Sequence, residues 1–521
     1  MSRIRADRYT NRLGTGAPTF SNGVNIIGNV GVGTTVPTSS LTVKGDMNVT
    51  GTVSVGGTLS YEDVTSIDSV GVITARSGIH VTSGKVGIGT NDPLRQLDIF
   101  STGHATAAIK GDTQSSLFFV DSGDSNIGQI SYIHADNYMY FRVNDAERLR
   151  ITSAGITSIT GSLAVNGNNY PTAGQLSNRN LIINGSMQVA QRGTSTTSVT
   201  SSGYHAADRF HADLNAVGTW TFSQSTTSPD EFANSFKLFC TTAKASPDAG
   251  TVLIFNQRVE GFNLQSLKKG TSAAESVTLS FWVRSSKTGT YIAELRDNDN
   301  SRAISKTYSI SSVNTWEYKT LTFPGDTTGA FDNDNALSLY INWWLAAGSN
   351  FTSGTLSTSW ASITNANRAV GVVNLADNED NDWYITGVQL EVGEKATPFE
   401  HRSFGDELAR CQRYYQRITA QTANARMAIG GNGSVSQCFP TAYLPTTMRA
   451  QPSVSHSAVS DFTNEGIAGG GTQTVSSISF NAASSHAVTI QSVASGGSGS
   501  ATGAQVLSNN TNAHLAFHAE L

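Results

Sequence analysis

Two copies of one short pattern, 56 residues apart, constrain this chain more than any other feature. Val30-Gly31-Val32-Gly33-Thr34, followed by Pro37, Leu41 and Val43, matches Val86-Gly87-Ile88-Gly89-Thr90, followed by Pro93, Leu97 and Ile99. Around them, residues 26–160 alternate Val and Ile with Gly, Thr and Ser, as in Leu41-Thr42-Val43-Lys44-Gly45-Asp46-Met47-Asn48-Val49. A period of two is the strand signal. Glycines let backbones turn or approach closely, and proline sits where a strand stops. Large aromatics are rare before Phe118, so such thin strands bury little surface from a single copy. Two repeats are also too few for a self-standing solenoid. The pattern predicts a shaft assembled from several chains.

The rest of the chain reads as β structure with one helix. Phe118, Ile127, Ile130, Tyr132, Tyr140 and Phe141 predict a small sheet over 117–160, and 161–178 reads as a turn-rich linker. Residues 179–400 hold nine strand patterns, at 219–222, 236–240, 252–259, 277–284, 291–295, 318–323, 337–344, 369–373 and 383–392. Short strands with polar turns argue for an antiparallel sandwich. The spacing of Phe404, Leu408, Cys411, Tyr415 and Ile418, behind a Ser403 cap with Asp406 at capping-box distance, predicts a connecting helix over 401–418. Residues 419–521 return to short strands and predict a small β-sandwich tip.

Composition excludes several function classes. Charged residues are 14% of 521 positions and the net charge is −5, so no basic face advertises nucleic acid. No apolar run reaches 18 residues, which argues against a membrane span, and the first residues lack the apolar stretch of a secretory signal. Cys240, Cys411 and Cys438 are too few and scattered for a disulfide framework or zinc site.

Few residues announce chemistry. His205, Asp208, His211 and Asp213 offer ligand types within ten residues, but in no named metal spacing. Asp377, Glu379, Asp380 and Asp382, with Glu391 and Glu394 further on, form an acidic run of the sort that holds a structural calcium. No GxSxG, Cys–His pair or P-loop is present, no carboxylate pair is marked for glycoside hydrolysis, and neither a catalytic residue nor a cofactor is expected. Trp343 and Trp344 are adjacent on a strand and must point to opposite faces. With Trp360 they are the candidates for stacking on a sugar ring.

Several segments resemble fibre proteins of tailed bacteriophages, those of marine cyanobacteria in particular. Ser2-Arg3-Ile4-Arg5-Ala6-Asp7-Arg8-Tyr9-Thr10 looks like their virion-anchoring start. The segment 61–78, Val86–Thr90 and Glu147-Arg148-Leu149-Arg150-Ile151 are similar to their shaft units. Asn180-Leu181-Ile182-Ile183-Asn184-Gly185 resembles the opening of a carbohydrate-binding-module-like jelly roll. Val388-Gln389-Leu390-Glu391-Val392 with Thr397-Pro398-Phe399-Glu400 resembles its last strand, and residues 411–417 the helix that follows.

The resemblance implies an all-β, elongated homotrimeric fibre. Residues 1–25, through Arg3, Arg5, Arg8 and Tyr9, would dock to the phage tail, baseplate or another virion protein. Residues 26–160 would intertwine as the shaft, and the jelly roll at 179–400 or the tip at 419–521 would bind host-surface polysaccharide without cleaving it. A depolymerase fibre and a purely architectural head or baseplate fibre are the alternatives. The self-cleaving end found on many similar shafts has no counterpart in the last hundred residues.

Overall fold

The computed structural model describes residues 26–57, 69, 72, 74–75, 78–123, 125, 127–160, 163–165, 168–170, 176–434, 436–466, 470–494 and 504–521. The N-terminal arm, most of the segment 61–78 and part of the linker lie outside the described residues. The chain divides into two units, Met1–Ala108 and Ile109–Leu521. Among the described residues the structure is nearly all β, and no helix is long and apolar enough to cross a membrane.

In the first unit the two repeats fold alike. Val30–Val32 pairs in parallel with Leu41–Val43, and Val86–Ile88 with Leu97–Ile99. Each copy closes on the same two backbone bonds: Val30 N–H to Ser40 and Lys44 N–H to Val32, or Val86 N–H to Gln96 and Phe100 N–H to Ile88. Gly33 and Gly89 take φ of +76° and +79°. A side chain there would strike the carbonyl oxygen of Lys44 or Phe100 at 2.5 or 2.1 Å, so the repeat requires glycine.

The second unit opens with a five-stranded antiparallel meander spanning Gln114–Phe119, Gly128–Ile133, Tyr138–Val143, Ala146–Ile151 and Thr157–Ile159. Register lines up Leu117, Ile130, Phe141, Leu149 and Ile159 in one apolar row across all five strands. Leu117 is 49% exposed and Ile159 41%, and the buried residues of the sheet, Gln129 and Ser131, lie on its polar face.

Two antiparallel sheets then form the sandwich. One runs Ser195–Val199, Thr219–Ser225, Ser235–Thr242, Asp382–Val392, Val277–Ser285 and Glu317–Phe323. The other runs Gly203–Tyr204, Phe210–Asn215, Val252–Glu260, Leu337–Ala347, Gly289–Asp297, Arg302–Ile310 and Ala361–Ser362. Alternate residues interdigitate between them. Phe255 packs on Phe210, Phe236, Trp343 and Trp383, and Phe281 meets Trp343 and Tyr308 edge-on. Eight of the nine predicted strand patterns lie in these strands. The exception is 369–373, which forms a turn over the second sheet, where Ala369 and Val372 pack on Trp344.

The opening segment of the sandwich is laid against its last strand through side chains. Asn180 Oδ1 accepts the Ile182 and Leu390 N–H groups at 2.9 and 3.1 Å while its Nδ2 donates to Val388 O. The Glu400 carboxylate accepts the N–H groups of Arg179 and Asn180. Buried Glu391 accepts Thr397 N–H and Oγ1–H at 2.8 and 2.7 Å.

The connecting helix is shorter than its periodicity predicts. Ser403 caps it as expected, its Oγ accepting Asp406 N–H, but it ends at Gln412. Tyr415–Thr419 is a strand instead, because it pairs with His514–His518 in a three-stranded sheet completed by Ser453–His456. The predicted C-terminal sandwich is a closed six-stranded barrel ordered Arg426–Asn432, Gln437–Tyr443, Ala487–Ala494, Gly470–Ala483, Phe462–Gly466 and Ala504–Ser508. Pairing of Arg426–Asn432 with Ala504–Ser508 removes the free edges a sandwich would leave.

Charge joins the sandwich to the end of the connecting helix and to the segment that follows His514–His518. Arg209, 1% exposed, lies 3.4 Å over the Tyr414 ring and pairs with Glu520, which also meets Arg192 at 2.8 Å. Glu260 holds Arg413 at 2.7 Å and accepts Tyr414 O–H.

Replacing Asn180 with Ala strands two buried N–H groups. The expected loss is about 2–5 kcal/mol, measured as a lower urea midpoint.

Candidate functional site

Alternation within Val277–Ser285 sends Phe281 and Val283 into the core and Trp282 outward. Trp282 pairs directly with Tyr318, and their ring centroids are 5.2 Å apart at 48°. Tyr318 is 44% exposed. Between Trp282 and Ser280 the neighbouring strand bulges at Gly387, which takes φ +61°. A Cβ there would lie 2.6 Å from Phe232 and 3.1 Å from Trp282. Glycine thus lets both rings close over the strand. Phe399 stands edge-on to Phe232 at 5.0 Å.

The result is a groove of about 300 Å³ on the outer face of the six-stranded sheet, walled by Phe232, Trp282, Tyr318, Pro398 and Phe399, with the Glu231 carboxylate in its lining. Burial raises the Tyr318 phenol above its ordinary value, so the group stays protonated and can donate. Flat aromatic faces beside a hydroxyl and a carboxylate suit a ligand with one apolar face and many O–H groups.

The predicted tryptophans lie elsewhere. Trp343 is in the core between the sheets. Trp344 points to the opposite face as predicted, but Phe351, Leu356 and Val372 cover it. Both are fully buried, so neither offers a ring to a sugar. Trp360 is half-buried, donates its indole N–H to Pro324 O at 2.8 Å and carries Lys269 5.5 Å above its ring. Trp282 and Tyr318 lie within the predicted strand patterns 277–284 and 318–323, but a strand pattern alone does not say which of its two faces is covered.

The acidic run is dispersed. Asp377 is held by Lys287 at 2.5 Å and accepts from Asn381. Asp382 caps Ser286 N–H and faces Lys237 at 3.7 Å, while Glu379 and Asp380 are exposed. Glu391 is committed to Thr397. Among the described residues no three His, Cys, Asp or Glu side chains gather where a metal ion is held. Arg3, Arg5, Arg8 and Tyr9 lie outside the described residues.

The 205–213 cluster is also divided. His205 packs on Phe222 at 5.2 Å, and buried Asp208 faces Arg192 at 3.4 Å. His211 Nδ1 is 3.1 Å from Arg258 and 3.3 Å from Asp213. Burial and the guanidinium push its imidazole down to about 3, so it is neutral and accepts from Arg258.

No protein-family model and no curated protein matches this chain. Similar solved structures include the enzymatically active domain of bacteriophage CBA120 tailspike protein 4, at 19% identity and TM-score 0.21, over 41% of this chain and 21% of that one. A family 11 carbohydrate-binding module from Clostridium thermocellum, in complex with a β-1,3-1,4-mixed-linked tetrasaccharide, is 10% identical at TM-score 0.20, over 40% and 99%. TmCBM61 in complex with β-1,4-galactotriose is 10% identical at TM-score 0.21, over 41% and 99%.

The histidine sets a pH dependence. His211 takes a proton in the unfolded chain near its ordinary 6.5 and in the folded chain only near 3. Its stabilising contribution is complete above about pH 6.5 and is lost as the pH falls towards 3. Replacing it with Gln should flatten the acid limb of a stability–pH profile; an unchanged limb contradicts a neutral buried imidazole.

Proposed function

We propose that the chain is a subunit of a bacteriophage virion fibre that binds host-surface glycan without cleaving it. The observation that carries the glycan reading is the open Trp282–Tyr318 groove. Its two half-open rings stand side by side on a rigid sheet, the geometry on which sugar rings stack. Glu231 is the one carboxylate in its lining, whereas glycoside hydrolysis uses two. The fibre reading rests on the resemblance of the repeats, of residues 1–25 and of the 180–185 and 388–400 motifs. On this reading residues 1–25 dock to another virion protein.

Association of copies is the second element. The apolar row Leu117–Ile130–Phe141–Leu149–Ile159 lacks a second layer from the described residues, and a sheet with one naked apolar face gains most by packing on its own copies. Three copies also turn weak sugar contacts into useful avidity.

In a glycan screen, Trp282→Ala is expected to weaken host-polysaccharide binding about tenfold or more, the loss of about 1.4 kcal/mol of contact, with an unaltered unfolding midpoint. Equal binding by the variant removes the groove from the site. In sedimentation velocity the unaltered chain should run at three times the 55.0 kDa of one copy, and Leu149→Asp should shift it towards the monomer. A 55.0 kDa species for the unaltered chain defeats the trimer.

A further inference from the structure

The outer face of the seven-stranded sheet has a different chemistry. Arg258, Tyr340 and Arg296 stand side by side across three adjacent strands, with the guanidinium carbons 5.4 and 4.8 Å from the Tyr340 ring centre. The next row holds Asn256, Asn342 and Glu294. Most of the charge here is spoken for. Glu294 is clasped by both arms of Arg368 at 2.7 and 2.8 Å and by Asn342 at 2.7 Å. Arg258 donates to Leu521 O at 2.6 Å and meets Asp213 at 3.4 Å.

Arg296 is the exception. Among the described residues its side chain has neither a carboxylate at ion-pair distance nor a hydrogen bond, and its Nε is buried unpaired. The row of Asn256 and Asn342 is closed to solvent, at 0% and 2% exposed, whereas Arg258, Tyr340 and Arg296 are half-buried. Asp213 and Glu294 thus answer Arg258 and Arg368 and leave Arg296 without an acid at ion-pair distance. A buried unpaired polar atom is costly unless a partner completes it.

We infer that this face is a second binding site, built for a sugar bearing a carboxylate, with Arg296 taking the carboxylate and Tyr340 beside it completing the half-exposed row that the sugar meets. A planar guanidinium fork matches a carboxylate through two parallel hydrogen bonds, and a neutral sugar would leave the excess cation unanswered. The site is separate from the aromatic groove, which lies on the other sheet.

The test is calorimetry on the full chain with three probes: oligogalacturonate, its neutral counterpart oligogalactan, and sulfated dextran as a general polyanion. Oligogalacturonate should bind, weaken in about 0.5 M salt, and lose about tenfold or more in affinity with Arg296→Gln. Arg296→Lys should restore part of the loss, and Trp282→Ala should leave it unchanged. No binding of oligogalacturonate, equal binding by Arg296→Gln, or equal binding of sulfated dextran overturns the inference. Loss of neutral-glycan binding with Trp282→Ala, while oligogalacturonate binding persists, separates the fate of the two sites.

Discussion

The sandwich depends on a buried polar seam between its opening segment and its last strand. Residues 179–185 make few ladder bonds of their own, and backbone groups buried without partners are expensive. Asn180 and Glu400 supply partners across more than 200 residues, and the Arg179 side chain reaches Thr397 and Glu391 over a similar span. The seam also fixes Pro398 and Phe399, which wall the aromatic groove. The residues that close the fold therefore also shape the candidate site.

The two outer faces of the sandwich differ in chemistry. One presents rings on a bulge opened by Gly387; the other presents two guanidiniums in register with a tyrosine between them. Neither arrangement arises from neighbours in sequence. The rings come from two paired strands and two loops, the guanidiniums from strands on either side of a third, so the composition of each face is set by pairing.

This explains what was legible in the sequence. Alternation found most of the sandwich strands and the two repeats, because a period of two is a local property. It placed Trp343 and Trp344 on opposite faces but carried no information on what lies above each face. The cover over Trp344 comes from residues 351–372, part of which reads as a strand. Tyr415 fits the helical spacing, yet a strand ninety-nine residues later, His514–His518, captures it. Barrel closure likewise rests on distant pairing between Arg426–Asn432 and Ala504–Ser508.

The bond from Arg209 to Glu520 spans 311 positions. At about 5–20 residues per second, a ribosome delivers the arginine some tens of seconds before the acid that neutralises it. During that interval the guanidinium has the Arg258 carbonyl to donate to but not the carboxylate that pairs with it. The sandwich gains this ion pair only once the chain has been made as far as the residues just beyond His514–His518.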